Sequence, residues 1–163
     1  MRIVWLSALI LSACSSSVPA ADATPRFDVL QFFSGATRGE GRLKILFKDA
    51  RSVQVQGQGI VEGRTLVLRQ RIAEAGKAPR ERAWRITETG PGRYEGTLTD
   101  ARGPVTASVE GNRLHIQFTM PNRMRVEQWL TLEPDGRTAQ NKLTVSRFGV
   151  QVARLDEVIR KVG

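Results

Sequence analysis

The stretch RTLVLRQRIAE, residues 64–74, has the alternation of a half-buried β-strand. Leu66, Leu68 and Ile72 fall on one face, and the opposite face carries charged residues such as Arg69. Successive side chains of a strand point to opposite faces, so this pattern places one apolar face against a core and one polar face in water. It favours an antiparallel sheet rather than a helix.

Similar alternation recurs along the rest of the chain, between turn signals that come about every 8–12 residues. The predicted breaks include Gly57 and Gly59. The predicted strand segments are 40–49, 51–60, 64–74, 80–88, 92–100, 103–110, 112–120, 124–133 and 138–150, with 150–161 as a further strand or a helix and 27–33 as a short helix or a strand.

The connections between these segments decide the architecture. Nearly all are of hairpin length, so neighbours in sequence become neighbours in the sheet. A long meander leaves exposed edge strands unless it closes on itself. We therefore predict an all-β fold, an antiparallel up-and-down barrel of about 8–10 strands, lipocalin-like in shape. It forms a single domain over residues 27–163.

The beginning of the chain has the features of a targeting signal. Met1-Arg2 is a short basic region, and residues 3–11 form an apolar run too short for a transmembrane helix. The following Leu11-Ser12-Ala13-Cys14 resembles the lipobox of bacterial lipoproteins. That resemblance implies a signal peptide over residues 1–13, a lipid on the sulfur of Cys14, and an acyl chain such as palmitate on its new amine.

The residues after Cys14 extend this expectation. Ser15 follows the cysteine, and in lipoproteins of Gram-negative bacteria this favours the outer membrane. Residues 15–25 are small and polar with no periodicity, so we expect a flexible lipidated tether over residues 14–26. The domain would then face the periplasm, attached to the membrane by its N-terminal lipid. The alternative is an ordinary signal peptide with an incidental cysteine.

The composition excludes most common enzyme classes. One Cys and one His leave no internal disulfide and no zinc site of the usual nitrogen and sulfur kind. A nucleophilic mechanism with a histidine base would have to use His115, which lies opposite Leu114 and Ile116 on the expected solvent face. We therefore expect no enzymatic activity, no metal and no cofactor.

The chain is basic, with 25 Lys and Arg against 16 Asp and Glu and a formal net charge of +9. An exported protein meets little nucleic acid, and no aromatic RNA-binding motif is present, so we expect no nucleic-acid partner. The charge either forms a solvated surface or contacts anionic headgroups. Five arginines crowd one predicted hairpin, and we call them the hairpin arginines: Arg69, Arg71, Arg80, Arg82 and Arg85.

Arg82 is the strongest candidate for contact with a ligand. It lies two residues from Trp84, so an unbroken strand places both side chains inside the barrel. An isolated buried charge is very costly. Arg82 therefore meets an acidic ligand such as a fatty acid headgroup, forms an internal ion pair, or reaches solvent at a strand end. Glu81, Arg85 and Thr87 should face water.

Further polar residues interrupt the apolar faces and could line the same cavity. Gln70 and Gln128 do so on two different strands, and Tyr94 lies on the apolar face of a third. The candidate ligand-binding residues are therefore Arg82, Trp84, Gln70, Gln128 and Tyr94.

Two further pairs of residues lie outside the predicted apolar faces. Glu127 and Trp129 lie on the nominally polar face, and an outward Trp suggests a covering helix, a partner, or a bulge that reverses the register. Asp100 and Arg102 flank a turn and are expected to pair with each other.

The chain also carries a series of short motifs between residues 27 and 162. They include Phe32-Phe33-Ser34-Gly35, Gly39-x-Gly41 and Arg147-Phe148-Gly149-Val150, and the positions singled out are Phe33, Gly35, Gly41, Asp100, Gly103, Trp129, Asn141, Phe148 and Gly149. In order and spacing these motifs resemble the DUF3833 family of small proteobacterial lipoproteins, a domain of unknown function. The resemblance implies a lipocalin-like barrel and no established activity. Gln70 and Gln128 stand where the family pattern has acidic residues.

Two functions of different classes follow. In the first, the protein binds an apolar or acidic, lipid-like small molecule inside the barrel without catalysis. In the second, it is a structural or assembly lipoprotein that docks on an envelope protein or on anionic headgroups through the hairpin arginines. An interior cavity of about 300 Å³ or more favours the first, and a solid core favours the second.

Overall fold

The structure is a computed structural model that describes residues 21–163. Within these residues a short helix, α1 (Val29–Phe33), precedes ten strands, and a 3-10 turn (Pro121–Arg123) joins two of them. The strands are β1 (Gly35–Ile45), β2 (Arg51–Glu62), β3 (Thr65–Glu74), β4 (Arg80–Gly90), β5 (Arg93–Leu98), β6 (Val105–Glu110), β7 (Arg113–Met120), β8 (Met124–Leu132), β9 (Thr138–Arg147) and β10 (Val150–Val162).

The ten strands close into an antiparallel up-and-down barrel. Each strand pairs with its neighbours in sequence, and β1 pairs with β10 from Ala36 opposite Val162 to Ile45 opposite Ala153. This closure leaves no edge strand exposed. The predicted all-β barrel is confirmed, and the segment 150–161, predicted as a strand or a helix, is the strand that closes it.

The hydrophobic core lies inside the barrel. Apolar residues at alternate positions of most strands point inward and are buried, as with Leu66 and Leu68 on β3 and Leu130 and Leu132 on β8. Burial of apolar surface contributes about 25 cal/mol per Å² and is the main favourable term in folding. A smaller cluster of Val53, Val55 and Ile72 lies apart from the main core.

The two ends of the barrel differ. At the lower end, α1 covers the lumen with Phe33, and its N-cap Asp28 accepts a hydrogen bond from the backbone of Gln31 over 2.9 Å. The upper end carries no such helix among residues 21–163. Five loops surround it: 46–50, 75–79, 99–104, 121–123 and 148–149.

Some predicted boundaries are wrong. The segment 40–49 begins too late and ends too late, because β1 runs from Gly35 to Ile45. Gly57 and Gly59 do not break the chain but lie inside β2. They are glycines because of close approach: a Cβ at Gly57 would collide with the hydroxyl of Thr37, and one at Gly59 with the carbonyl oxygen of Phe33. The segment 138–150 divides into β9, a turn and the start of β10.

The expectations for the signal peptide, for Cys14 and for most of the tether fall on residues 1–20, outside the described part of the chain. Within residues 21–163, no helix is long and apolar enough to cross a membrane.

Candidate functional site

A group of polar side chains lies inside the barrel at the boundary between β3 and β4. Gln70 stands directly opposite Arg82 in the register, and Trp84 follows two residues later on the same face. The Oε1 atom of Gln70 accepts hydrogen bonds from Arg82 Nε over 2.7 Å and from Trp84 Nε1 over 2.8 Å. Three of the five candidate residues therefore form one hydrogen-bonded group, which we call the lumen triad.

Arg82 is a cation without a carboxylate partner. Within residues 21–163 no carboxylate oxygen lies within 4.0 Å of its guanidinium. The guanidinium carbon lies 5.2 Å from the centre of the Trp84 ring, within range of a cation–π interaction. Burial lowers the pKa of Arg82 to about 10, a shift that the more distant Asp100 and Glu157 oppose. Arg82 is therefore charged at neutral pH.

A second buried pair lies across the lumen on β9 and β10. Asn141 Nδ2 donates to Glu157 Oε2 over 2.7 Å. Burial raises the pKa of Glu157, while the hydrogen bond from Asn141 and the charge of Arg82 act in the opposite direction. Gly39 and Gly41 make room for this carboxylate, because a Cβ at either position would collide with Glu157 or the backbone beside it.

The sequence alone does not place Glu157 in the site, because the segment 150–161 is compatible with either a strand or a helix. The alternation of Leu155, Glu157 and Ile159 is the signal that could have placed it inside the barrel. Asn141 was singled out only through the family resemblance.

Two buried amide oxygens have no hydrogen-bond partner among the described residues: Oε1 of Gln128 and Oδ1 of Asn141. A buried acceptor without a partner costs about 1–3 kcal/mol, so water or a bound molecule would stabilise both. Gln128, another candidate residue, lines the same cavity as Gln70, Arg82 and Glu157.

Two cavities meet at Arg82. The inner cavity, about 50 Å³, lies between the lumen triad and α1. The upper cavity, about 170 Å³, lies toward the open end, and its walls are mostly apolar. The apolar wall of the upper cavity consists of Leu43, Val53, Val55, Ile72, Phe118, Met120, Val126, Leu143, Val145 and Leu155.

The size of these cavities limits what can enter. Pockets that enclose a whole small molecule usually measure about 300–1,000 Å³. Both cavities are smaller than that, so the interior cavity of about 300 Å³ that would favour a fully enclosed ligand is not found at Arg82. Several residues that line the upper cavity, such as Leu43 and Leu155, are only half-buried. The upper cavity can hold a head group and part of a chain, with the remainder outside the barrel.

Tyr94, the fifth candidate residue, does not join the lumen triad. It is buried near the lower end, where its hydroxyl hydrogen-bonds the backbone of Val29 in α1. Burial and the nearby carboxylates of Glu88 and Asp28 raise its pKa. This hydrogen bond to Val29 indicates that Tyr94 holds α1 against the barrel.

The outward Trp129 has a local explanation. The His115 ring stacks on it with centres 3.7 Å apart and planes within 7°, and the Arg113 guanidinium lies 4.4 Å from the ring centre. Glu127 Oε1 lies 2.8 Å from His115 Nε2. The strand register shows no bulge at this position, and no helix among residues 21–163 covers it. Neighbouring side chains on the barrel wall shield the indole instead.

The expected Asp100–Arg102 pair does not form. Asp100 Oδ2 lies 2.6 Å from Arg80 Nη1, because β4 and the loop after β5 come together at the upper end. The backbone NH of Arg102 donates to the carbonyl oxygen of Thr119 over 2.6 Å.

The hairpin arginines do not share one face. Arg69, Arg71 and Arg85 are exposed on the outer wall, Arg80 is paired with Asp100, and Arg82 is inside the barrel. Glu81 is exposed as expected, whereas Thr87 is half-buried and its hydroxyl hydrogen-bonds that of Thr65.

The other motif positions are dispersed over the barrel. Gly35, Gly103 and Gly149 adopt positive φ at or beside turns. Phe33 is buried at the lower end, and Phe148 is exposed at the upper end. These positions therefore do not form one site. In residues 21–163 no group of three or more His, Cys, Asp or Glu side chains could hold a metal ion.

Comparison of the sequence with protein families gives a match over most of its length. The model of a family described as "Protein of unknown function (DUF3833)" matches residues 8–161, which is nearly the whole chain. No curated protein matches the sequence.

Comparison with solved structures identifies the fold. The crystal structure of Rv2717c from M. tuberculosis has a TM-score of 0.60 and 16% identity, over 82% of this chain and 95% of that chain. The S-type phycobiliprotein lyase CPES from Guillardia theta has a TM-score of 0.60 and 4% identity, over 82% of this chain and 91% of that chain. At these identities the likeness extends to the fold alone.

Proposed function

The chain belongs to the DUF3833 family, and we propose that it is a non-enzymatic binding protein for an acidic, lipid-like small molecule. The head group of this ligand contacts Arg82, and its apolar chain lies along the wall of the upper cavity. The single observation that carries the proposal is the lumen cation: Arg82 has an amide oxygen and an indole as its contacts, and no carboxylate among residues 21–163 lies within 4.0 Å.

The physical reason is the cost of desolvating a charge. Arg82 is half-buried, and a cation that is partly removed from water without an anion is unfavourable. A carboxylate or phosphate that reaches it makes charge-assisted hydrogen bonds. Only the Nε of Arg82 is used by Gln70. The remaining guanidinium hydrogens are suited to the two oxygens of an acid.

The acidic residues that line the upper cavity, Glu74 and Asp100, would not repel such a ligand strongly. Asp100 lies against Arg80, and Glu74 lies against Arg51 and Lys77. Two groups of ion-paired side chains therefore flank Arg82, and neither of their carboxylates lies within 4.0 Å of its guanidinium. The apolar wall favours a hydrocarbon chain beyond the head group.

We extend the proposal to the location of the protein. The lipobox at Leu11–Cys14 supports lipidation of Cys14 and attachment to the outer membrane on the periplasmic side. One acyl chain alone gives marginal membrane binding, whereas several give stable anchoring.

The alternative function, docking of the hairpin arginines on an envelope partner, has less support. Only Arg69, Arg71 and Arg85 are exposed on the outer wall, while the other two are engaged in the mouth and the lumen.

The test is a titration with two fluorescent probes of equal chain length, one ending in a carboxylate and one in an alcohol. The parent protein should bind the acid more tightly. Arg82→Gln should weaken binding of the acid by about 10- to 150-fold, which corresponds to a lost charge-assisted bond of about 1.5–3 kcal/mol. Its effect on the alcohol should be small.

Arg85→Gln is the matched control, since Arg85 is an exposed arginine on the outer face of the same strand. It should bind both probes like the parent. Equal binding of acid by the parent and by Arg82→Gln, or no binding of either probe by the parent, would refute the proposal. A melting curve of each variant separates loss of binding from loss of the fold.

A further inference from the structure

The upper end of the barrel carries a group of exposed apolar side chains. Phe47 is 95% exposed and Phe148 is 76% exposed, and Leu46 and Val150 are exposed beside them. They belong to two adjacent hairpins, because β1 pairs with β10, and Leu46 N donates to Val152 O over 2.8 Å between them. We call these four residues the rim patch. Exposed apolar patches of this kind mark interaction sites.

Phe47 and Phe148 both have an unusual backbone conformation. Phe47 has a φ of 60° and Phe148 a φ of 51°, in the left-handed region that bulky residues rarely adopt. Such positions cost free energy and occur often at functional sites. Among residues 21–163 the other two non-glycine residues with positive φ, Asn122 and Arg123, lie in a third loop at the same end of the barrel.

Basic side chains surround the rim patch. Lys48, Arg102, Arg123 and Arg147 are exposed in or beside the upper loops. Within residues 21–163 none of the four lies within 4.0 Å of a carboxylate. The Arg147 guanidinium lies 5.1 Å from the centre of the Phe148 ring. Asp49 is an acidic residue of the same loops and forms no ion pair with them, so the rim is predominantly positive.

We propose that the upper rim docks on an anionic phospholipid bilayer, with Phe47 and Phe148 inserted among the headgroups and the four cations above them. Aromatic rings favour the membrane interface, and basic residues are attracted by its negative surface potential. The cations come from four different loops or strand ends that surround one end of the barrel. That arrangement matches a flat charged surface better than a single discrete partner.

Docking in this orientation turns the open mouth toward the bilayer. The upper cavity lies inside the ring of loops, and its wall includes Leu43 and Leu155 from the two strands that carry the rim patch. The inference goes beyond ligand binding and does not depend on it.

The rim is also separate from the N-terminal attachment. The described chain begins at the lower end, where Asp22 N donates to Asn112 Oδ1 over 2.9 Å in the turn between β6 and β7. Residues 21–163 contain the ten strands of the closed barrel and the core cluster, so they can be tested without residues 1–20.

The experiment is sedimentation of residues 21–163 with vesicles of phosphatidylcholine, with and without phosphatidylglycerol. The parent should bind the anionic vesicles, bind the neutral ones more weakly, and dissociate in about 0.5 M NaCl because salt screens the attraction. The double variant Phe47→Ser, Phe148→Ser should bind at least about tenfold more weakly. The triple variant Lys48→Gln, Arg102→Gln, Arg123→Gln should lose a similar amount on anionic vesicles only.

Two matched controls test whether vesicles bind to the rim patch and its cations or to the outer wall of the barrel. Ile60→Ser removes another apolar side chain that is 59% exposed, but near the lower end. The triple variant Arg69→Gln, Arg71→Gln, Arg85→Gln removes three exposed cations of the outer wall. Both should bind vesicles like the parent.

Failure of the parent to bind anionic vesicles would overturn the inference. A protein would then be the better candidate for the partner that covers the rim patch. Loss of binding in the wall variants with unchanged rim variants would overturn it as well. The rim variants should still bind the acidic probe, so failure of docking and failure of ligand binding can be distinguished.

Discussion

Arg82 lies directly opposite Gln70 in the register of β3 and β4, and its Nε donates to Gln70 Oε1 over 2.7 Å. The indole of Trp84 donates to the same oxygen, so a single neutral acceptor fixes both the cation and the ring. A carboxylate at position 70 would have neutralised Arg82. With an amide in that place, the charge stays available inside the barrel.

The first prediction concerns this acceptor. Gln70→Leu leaves two donors in the lumen without their acceptor, and each buried unsatisfied group costs about 1–3 kcal/mol. We expect the free energy of unfolding, measured by urea denaturation, to fall by at least about 2 kcal/mol. Gln128→Leu is the matched variant, because its Oε1 has no partner among the described residues. It should change stability by less than about 1 kcal/mol, or increase it. Equal losses in the two variants would contradict the role of Gln70 as a bridge.

The strands could be predicted from sequence because alternation is a local property. The side chains of Leu66, Leu68, Arg82 and Trp84 follow a period of two that needs no knowledge of the rest of the chain. The inward direction of Arg82 follows from Trp84 alone. The same reasoning placed Trp129 on the outside, where it lies.

What the sequence could not provide were the contacts between distant segments. In the sequence, a glycine at position 59 can mean either the end of a strand or a place where another backbone segment packs closely. Only the folded barrel shows that the backbone of Phe33 packs against Gly59. The meeting of Asn141 with Glu157 depends on the pairing of β9 with β10. The rim patch depends on the closure of β1 against β10, which brings Phe47 and Phe148 to adjacent hairpins.

The second prediction concerns close packing at that closure. A Cβ at Gly41 would lie 2.6 Å from the backbone oxygen of Asp156 and 2.9 Å from Cβ of Glu157, so Gly41→Ala must displace a paired strand. We expect a loss of about 1–3 kcal/mol, seen as a lower melting temperature. Gly90→Ala is the control, since its Cβ would meet nothing within 4 Å. It should change stability by less than about 0.5 kcal/mol. A Gly41→Ala protein as stable as the parent would show that β1 and β10 are not packed in this way.

The third prediction concerns the N-terminus. If Cys14 carries the lipid, Cys14→Ser should leave the protein unprocessed or release it from membranes, because a single short apolar run and no acyl chain remain. Fractionation of cells and the mass of the purified protein measure this. Ser16→Ala, two residues further on, should be processed and partition like the parent. Normal processing and membrane partition of Cys14→Ser would contradict lipidation at this residue.

The fourth prediction concerns pH and rests on Glu157. Burial raises the pKa of its carboxyl above the ordinary value of 4.5, and the hydrogen bond from Asn141 and the charge of Arg82 offset only part of this effect. Between the ordinary and the raised pKa, the folded protein binds more protons at this site than the unfolded chain does. The contribution of Glu157 to the free energy of unfolding therefore falls as pH rises through that window, and is constant above it. Below the ordinary pKa the group is protonated in both states and contributes no pH dependence.

Glu157→Gln isolates this contribution, since the amide keeps an oxygen that can accept from Asn141 and never ionises. The variant should match the parent near the ordinary pKa of the carboxyl and become more stable than the parent as pH rises, until the difference reaches a plateau. Urea denaturation of both proteins across pH measures it. Glu40→Gln is the matched control, because Glu40 is exposed on the outer face of β1. It removes a surface carboxylate and leaves the pair of Glu157 and Asn141 in the lumen unchanged. A difference between Glu157→Gln and the parent that is independent of pH, or that grows toward acid, would show that the buried carboxyl does not carry a raised pKa.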